Sequence, residues 1–442
     1  MRNLFNKIIH NTNLEDKILV LIYFLFPFLL CMSIFLTDFF ASIAGLILIF
    51  IFIKKINFSN FIKPIKKEVY YFLLFFIIVL LSLLFSNNFK ASFLGSFFYF
   101  RYALFTLGIY YLLKKYDFFH DILLISTVSC FILIFLDSLF QYIMLHNLFG
   151  YDLPNLSKLR YVTSFFDQEK KLGSFIIRLL PFITALIILN NKLKKFKFDF
   201  LIIILSGITI FYTSERTALF LYFVFCFFYF LVTNHKKLFI ISIISLMTVL
   251  FYTNASFFAK YVYGTFSQLG FTNKIHIKTF KDPSERKIYY YSEEHENLSY
   301  TGLRIFEKNF LTGSGLKNYY SACNDLIIKN KQNDLLPHMH KRNKLKCSTH
   351  PHNTYIQLLS DIGFLGFALI SFFFINTLFQ NLKIVFLGTY KNNTYVLAYY
   401  FLSVGITINI LPFVPAGSFF NNWVCYIIIY PLGYWLYLKK KL

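Results

Sequence analysis

The sequence predicts an all-α polytopic membrane protein with about twelve transmembrane helices and one large helical loop on the external side. Hydrophobic residues make up 57% of the 442 residues and charged residues only 15%, whereas soluble domains are about 45–50% apolar and about 25% charged. Long apolar runs follow one another along most of the chain, and lysines collect in alternate connections between them. These observations exclude an ordinary soluble enzyme.

The apolar runs have roughly the length that a bilayer core requires, which is about 17–25 residues per helix. They cover residues 18–37, 39–53, 69–86, 93–113, 118–145, 172–190, 198–213, 216–233, 238–253, 353–380, 394–411 and 422–438. The first run follows a basic stretch and lacks a small-x-small cleavage site, which predicts an uncleaved signal anchor. The chain thus divides into nine spans within 1–253, a large external loop at 254–351 and three spans within 352–442.

The net charge of +23 predicts an orientation rather than a nucleic-acid partner, because no nucleic-acid-binding motif accompanies it. Lysines concentrate in the loops that share a side with the two termini, so the positive-inside rule predicts that both termini are cytoplasmic. Arginines instead concentrate on the external side or inside the runs. Because a guanidinium binds phosphate bidentately, we expect an external anion site.

Two arginines, Arg101 and Arg178, lie inside apolar runs, where an ionisable residue is a functional candidate. Snorkelling of the side chain to the lipid headgroups is the alternative. It suits Arg178, near the end of its run, better than Arg101, which lies in the middle of the run 93–113.

The short external turn after the seventh run reads Thr213-Ser-Glu-Arg-Thr-Ala218. Ser214 or Thr213 is expected to cap the next helix, so that Arg216 projects from its first turn beside free backbone amides. This arrangement predicts an anion site, and local pairing of Arg216 with Glu215 is the alternative.

A second cationic segment lies between the fifth and sixth runs, where Arg160, Lys170 and Lys171 accompany Asp167 and Glu169. A salt-bridged surface loop would have a similar composition, so this segment by itself does not distinguish an anion site from such a loop.

The most polar motif runs from Cys347 to Gly366, through Cys-Ser-Thr-His-Pro-His-Asn. Pro351 suits the first turn of a helix, which places His352 and Asn353 at the external start of the tenth span. The positive end of the helix dipole disfavours imidazolium there, so His352 is expected to be neutral, as a general base requires. Asn353 and Gln357 share a helix face and can offer amide groups to a sugar.

A metal site is the alternative interpretation of the histidines, since His338-x-His340 and His350-x-His352 have ligand-like alternation. No carboxylate or cysteine cluster completes such a site, and we expect no metal and no cofactor.

The external loop is expected to have its own structure. The pattern over 293–309 predicts an amphipathic helix, followed by the turn Gly313-Ser-Gly315 and a second helix near 316–330. The turn is an ordinary helix stop or, alternatively, a phosphate cradle. Cys323 and Cys347 are predicted to pair if the loop faces an oxidising compartment, whereas the other cysteines lie inside apolar runs and suit packing.

Together these motifs resemble those of the O-antigen ligase and polymerase superfamily of bacterial membrane glycosyltransferases. The resemblance rests on His352-Asn353 followed after nine residues by Gly363 and after two more by Gly366, on the turn at 214–217, on the segment 160–173 and on Leu311–Tyr319. It covers roughly residues 155–370. Ser164 and Ser214 stand where many relatives have glycine.

The resemblance implies a GT-C-like fold in the bacterial inner membrane with a periplasmic active site. It implies inverting, metal-independent transfer of a glycan from undecaprenyl diphosphate to a sugar hydroxyl of the lipid A core, in lipopolysaccharide biosynthesis. Arg160 and Arg216 would hold the diphosphate and stabilise its leaving charge, and His352 would deprotonate or orient the acceptor hydroxyl. The expected substrate-binding residues are Asn353, Gln357, Glu169, Glu215, Arg178 and Lys170. The partners would be these substrates and membrane lipids.

Two rival functions remain open. A polymerase would use the same donor with a carrier-linked repeat as acceptor. A polysaccharide flippase would suit twelve spans, but the internal repeat or paired broken helices typical of transporters are not evident in the sequence.

Overall fold

The computed structural model describes residues 12–156, 159–269, 289, 291–332 and 345–442, without the side chains of 155, 156, 159, 160 and 329–332. Its helices are α1 (Leu14–Met32), α2 (Ile34–Lys54), α3 (Phe58–Ile62), α4 (Lys66–Ser82), α5 (Phe89–Phe97), α6 (Phe100–Lys115), α7 (Phe119–Met144), α8 (Leu172–Leu189), α9 (Asn191–Lys195), α10 (Phe198–Thr213), α11 (Arg216–Val232), α12 (Lys236–Thr253), α13 (Ala255–Tyr261), α14 (Tyr263–Gln268), α15 (Glu293–Lys308), α16 (Tyr319–Gln332), α17 (Thr354–Leu387), α18 (Thr394–Asn409) and α19 (Asn422–Lys441). Two minimal strands, β1 (Asn155–Leu156) and β2 (Leu159–Arg160), form an antiparallel pair.

The helices have the length and composition of a membrane-spanning bundle. Among the described residues, 6 helical segments are long and apolar enough to cross a bilayer, namely Ile34–Lys54, Phe58–Phe85, Phe119–Met144, Leu172–Leu189, Lys236–Thr253 and Thr354–Leu387. Three shorter apolar helices are α10, α11 and α18. The architecture is therefore that of an all-α, multi-pass membrane protein, while the count of twelve crossings stays a prediction.

The predicted boundary between the first two spans is wrong. The break falls at Ser33, whose extended backbone (φ −160°, ψ 122°) and side-chain oxygen, which accepts from the backbone N–H of Leu36, start α2. Hydropathy places the break at residue 38, because Ser33, which caps the helix, lies within a continuous apolar run.

The predicted span 93–113 is also wrong, since the chain breaks there into the short helix α5 and the longer α6. The serine face of α5 is buried: Ser92 donates to the backbone oxygen of Leu316 at 2.7 Å. Its phenylalanine face, including Phe89 and Phe93, is exposed. α5 is therefore a separate short helix, fastened to Leu316 through Ser92, in a stretch whose hydropathy is continuous.

This break moves Arg101 from the middle of a span to the start of α6. Its Nη2 lies 3.1 Å from Asp38 Oδ1 and 3.1 Å from the hydroxyl of Tyr102, to which it donates. Tyr426 donates to the same Asp38 oxygen at 2.6 Å. Arg101 therefore joins the first turns of α2, α6 and α19, which is a structural role.

The segment that is predicted to be external contains a small helical unit. The predicted amphipathic helix is α15, with Leu298, Thr301 and Ile305 buried. The second helix, α16, begins at Tyr319 rather than near residue 316. A disulfide joins Cys323 to Cys347, with the Cα atoms 5.6 Å apart. The bond ties α16 to the segment that leads into α17.

A break inside α17 attaches this unit to the bundle. Gly363 has φ 67° and ψ −168°, a backbone conformation that is essentially restricted to glycine. The freed carbonyls of Ser360 and Asp361 accept the N–H groups of Ser314 and Gly315, each at 2.9 Å. These glycine-turn amides are therefore engaged by protein, which overturns the alternative of a phosphate cradle.

Candidate active site

One end of the bundle collects the sequence motifs, and we call it the site end. Tyr102 at the start of α6 donates to Asn422 at the start of α19. Lys171, which precedes α8, lies 6.0 Å from the ring centroid of Trp423 on α19. Several helices thus begin at the same end, where the positive ends of their dipoles favour anions.

His352 lies just before α17 rather than inside it, so the expected placement of Pro351 in the first helical turn is wrong. The N-cap is Asn353, whose Oδ1 accepts from the N–H groups of Tyr355 at 3.0 Å and Ile356 at 3.1 Å. An asparagine side chain satisfies the free amides of a helix start better than proline can. His352 itself has a left-handed backbone, with φ 54°.

Three histidine rings meet at this position. The ring centroids of His350 and His352 are 4.1 Å apart, and those of His295 and His352 are 5.8 Å apart. Burial lowers the pKa of His352, an effect that Glu294 opposes and Lys346 adds to. Burial and the neighbouring His352 lower the pKa of His350 to about 4. His352 is therefore neutral near pH 7, with burial rather than the helix dipole as the main cause.

The loop 410–421 holds His352 from the other side. The N–H of Ala416 donates to the backbone oxygen of His352 at 2.9 Å, and Asn353 forms an isolated bridge with Pro415. The same loop leads into α19 and Trp423, near Lys171. The histidine group and the α8 segment therefore share one wall of the site.

Gln357 has its amide fully used inside the protein. Its Nε2 donates to Asp361 at 3.0 Å and to Ser418 at 2.9 Å, and its Oε1 accepts from the N–H of Phe419 at 2.8 Å. These bonds fasten the loop 410–421 to α17. Gln357 thus orients the wall of the site.

The turn before α11 differs from the expected cap. Glu215, not Ser214 or Thr213, occupies the N-cap position, and Ser214 has a left-handed backbone. Arg216 is the first helical residue, and its guanidinium donates to the backbone oxygen of Gly264 at 3.3 Å and to Gln268. Arg216 therefore reaches toward α14 instead of pairing with Glu215.

The Glu215 carboxylate caps a different helix. It accepts from the N–H of Gly173 at 2.7 Å and from the N–H and hydroxyl of Ser174 at 3.0 and 2.9 Å. Burial raises the pKa of Glu215, and these hydrogen bonds oppose the rise. The α10–α11 turn and the start of α8 are joined in this way, which brings the Lys170 segment beside Arg216.

Lys170, Lys260 and Arg216 form a group of like charges at the site end, which we call the cation group. Two of these charges lie over the ring of Tyr161. Lys170 Nζ is 4.3 Å from the ring centroid, and Lys260 Nζ is 5.6 Å from it. Burial, Lys170 and Arg216 lower the pKa of Lys260 to about 7, although Glu215 opposes the shift. Mutual repulsion in a partly buried group is relieved by a bound anion.

Lys260 and His295 are functional candidates that sequence reasoning missed. Lys260 lies on α13, where its ammonium donates to Ser214 Oγ. His295 lies in the first turn of α15. Neither belongs to a spaced motif. Only the fold brings Lys260 to Arg216 and His295 to His352.

The remaining expected site residues have varied surroundings. The backbone of Arg160 lies in β2 opposite Asn155, but its side chain lies outside the described residues. Glu169 pairs with Lys171. Arg178 is buried in α8 and donates to Asn409 Oδ1 at 2.5 Å; its Nε has no hydrogen-bond partner within the described part of the chain.

The described residues contain no group of three or more histidine, cysteine, aspartate or glutamate side chains that could hold a metal ion. His338 and His340 lie outside the described residues.

Residues 201–371 match the family model described as O-antigen ligase. The match supports the O-antigen ligase superfamily and spans the α10–α11 turn, the helices α15 and α16 and the broken start of α17. The Arg160 and Lys170 segment precedes it. No curated protein matches the chain.

Proposed function

We propose that this chain is a ligase-type glycosyltransferase of the bacterial inner membrane, with both termini cytoplasmic and its site end in the periplasm. It moves a glycan from undecaprenyl diphosphate to a sugar hydroxyl of the lipid A core. The O-antigen ligase match over 201–371 supports this class of activity. The observation that carries the proposal is that the loop 410–421 holds His352 and leads into Trp423 beside Lys171, at the end of the bundle where the cation group lies.

The cation group binds the donor diphosphate. Arg216 offers a planar fork of donors, and Lys170 and Lys260 add two ammonium charges beside it. These groups stabilise the negative charge that develops on the leaving diphosphate as the sugar–phosphate bond breaks. Arg160 is proposed to join them, since its segment leads directly into Tyr161 and Lys170.

His352 accepts the proton of the acceptor hydroxyl. As the hydroxyl oxygen forms its bond with the anomeric carbon, the bond from that carbon to the diphosphate oxygen breaks. Undecaprenyl diphosphate leaves, the proton remains on the imidazole, and single displacement inverts the anomeric centre. Asn353, Gln357 and Glu215 support this chemistry by fixing the backbone around the site. Glu169 and Arg178 are proposed to bind the substrate.

Replacement of His352 or Arg216 tests these assignments. His352→Ala and Arg216→Ala should each lower transfer by about 100-fold or more, because the first removes the general base and the second removes a charge that stabilises the leaving diphosphate. The measurement is transfer by the purified protein from an undecaprenyl diphosphate-linked glycan to lipid A core. His146→Ala, at an exposed loop position, and Arg304→Ala, at a half-buried helix position paired with Glu307, are matched controls. Wild-type rates in either site variant would remove its assigned role.

A deletion strain separates the ligase from the polymerase. Loss of a ligase leaves long carrier-linked chains and a bare lipid A core on gels of lipopolysaccharide. Loss of a polymerase instead leaves a single repeat attached to the core. The second pattern would overturn the ligase assignment and favour polymerisation at the same site.

A further inference from the structure

We propose that His295 completes the acceptor subsite by binding a second hydroxyl of the acceptor sugar, beside the hydroxyl that His352 deprotonates. The inference rests on the proposed function, because it assigns a residue to the acceptor of that reaction. It adds a helix of the external segment, α15, to a site otherwise built from the bundle and its loops.

The two rings are in edge-to-face contact, so neighbouring hydroxyls of one sugar can reach both of them. Their centroids are 5.8 Å apart and their planes are inclined by 64°. Nδ1 of His295 is hydrogen-bonded to Ser292 Oγ at 2.7 Å, so the protein orients the ring through one nitrogen. The other nitrogen, Nε2, is the one through which the ring can bind a ligand, and a sugar hydroxyl can donate to it or accept from it.

The charge of the histidine group selects the kind of ligand. Burial and the neighbouring His352 lower the pKa of His295, and Glu294 opposes the shift. Two neutral imidazoles suit uncharged hydroxyl groups, whereas the cation group suits a diphosphate. His350 adds a third neutral ring 4.1 Å from that of His352. The ligand of this part of the site is therefore the sugar acceptor rather than the phosphorylated donor.

The spacing between His295 and His352 is fixed by several contacts. The N–H of Lys346 donates to Thr301 Oγ1 on α15 at 3.0 Å, and its Nζ lies 2.6 Å from Glu294 Oε1. The next residue, Cys347, forms the disulfide with α16. At Gly302, a Cβ atom would lie 2.5 Å from Ile356, which shows that α15 packs directly on α17. The two histidines therefore belong to one rigid unit that can hold a pair of hydroxyls.

Kinetics of the full-length protein test the subsite. The probes are undecaprenyl diphosphate-linked glycan as donor and purified lipid A core as acceptor. His295→Ala should raise the acceptor KM by about 3- to 10-fold, as expected for one lost hydrogen bond to a neutral group. The donor KM and the kcat at saturating acceptor should stay within about twofold, and His295→Asn should restore part of the affinity. His146→Ala, at an exposed loop position, is the matched control.

Three outcomes would overturn the inference. One is an unchanged acceptor KM in His295→Ala, and another is a joint rise of donor and acceptor KM, which indicates damage to the fold. Retention of the Cys323–Cys347 disulfide in the variant checks the fold independently. The third is a wild-type protein without transfer to lipid A core; this result defeats the proposed function as well, whereas the first two defeat the subsite alone.

Discussion

Lys260 is a partly buried lysine whose charge depends on its neighbours. Its ammonium donates to Ser214 and lies near Lys170 and Arg216, so burial and repulsion lower its pKa to about 7. An ordinary lysine has a pKa of about 10.4 and is charged at any physiological pH. Lys260 therefore loses its charge close to neutrality unless an anion is bound, and its protonation and donor binding favour each other.

Donor binding should depend on pH through this residue. In the wild type, the donor KM should rise between about pH 6 and about pH 8, because Lys260 loses its proton around a pKa of about 7. Lys260→Arg should abolish this dependence, since arginine stays charged. Steady-state kinetics with varied donor measure it, and Lys192→Arg, in an exposed connection, is the control. A wild-type donor KM that does not change between about pH 6 and about pH 8 would contradict the proposed role of Lys260 in donor binding.

At the scale of elements, the break in α17 is a contact between two backbones. A Cβ atom on Gly363 would lie 2.4 Å from the carbonyl carbon of Leu311, and one on Gly313 would lie 2.4 Å from that of Asp361. The N–H of Phe364 also donates to the oxygen of Phe310 at 2.8 Å. These short approaches explain why glycine stands on both sides of the junction.

Gly363→Ala should destabilise the protein strongly. The backbone conformation alone costs about 1–3 kcal/mol for a residue with a side chain, and the collision with Leu311 adds to it. Thermal unfolding in detergent, followed by tryptophan fluorescence, should show a clear fall in Tm. Gly417→Ala is the matched control, because the added methyl would meet only Val424 at 3.8 Å. Equal Tm values for the two variants would refute the backbone junction.

The disulfide should matter for activity as well as for stability. It closes a loop with a sequence separation of 24, for which chain entropy predicts about 3–4 kcal/mol of stabilisation. Cys347→Ser should loosen the segment that carries His350 and His352 and should lower the rate of transfer. The control is Cys226→Ser, at a buried free cysteine, which should transfer at the wild-type rate. Full activity of Cys347→Ser or of the reduced wild type would show that the histidines are held without the bond.

At the scale of the whole molecule, the proposed orientation rests on the lysines. The connections after α2 and α8 and the end of α19 carry them in clusters, including Lys54, Lys55, Lys194, Lys195 and Lys439. Such clusters resist translocation across the bilayer. The site end is the opposite end of the bundle.

Reporter fusions should place Leu442 in the cytoplasm and α15 in the periplasm. A fluorescent protein after Leu442 should fluoresce, and a single cysteine introduced at Glu296 on α15 should react with a membrane-impermeant thiol reagent in intact spheroplasts. The same cysteine introduced at Lys195 is the control that should stay unlabelled. Labelling of the two positions in the reverse pattern would invert the topology and exclude a periplasmic site.

The sequence by itself determined the class of the protein and most of its helices, and it predicted a cytoplasmic side for the lysines and the candidate site residues His352 and Arg216. These features depend on composition, on apolar length and on short motifs, which are properties of neighbouring residues. The sequence also allowed Cys323 and Cys347 to pair and predicted α15. It could not separate α5 from α6, because a hydropathy average does not register that Ser92 of α5 binds Leu316 in a distant segment.

Only the tertiary structure decided what surrounds the motifs. In the folded chain Glu215 caps α8, and Gln357 fastens the loop 410–421 to α17. Lys260 lies beside the turn that carries Arg216, and His295 lies beside His352. Each of these contacts joins segments that are far apart in the chain. Hydrogen bonds and pKa values depend on burial and on such distant neighbours, and these are set when the helices pack and not by the local sequence.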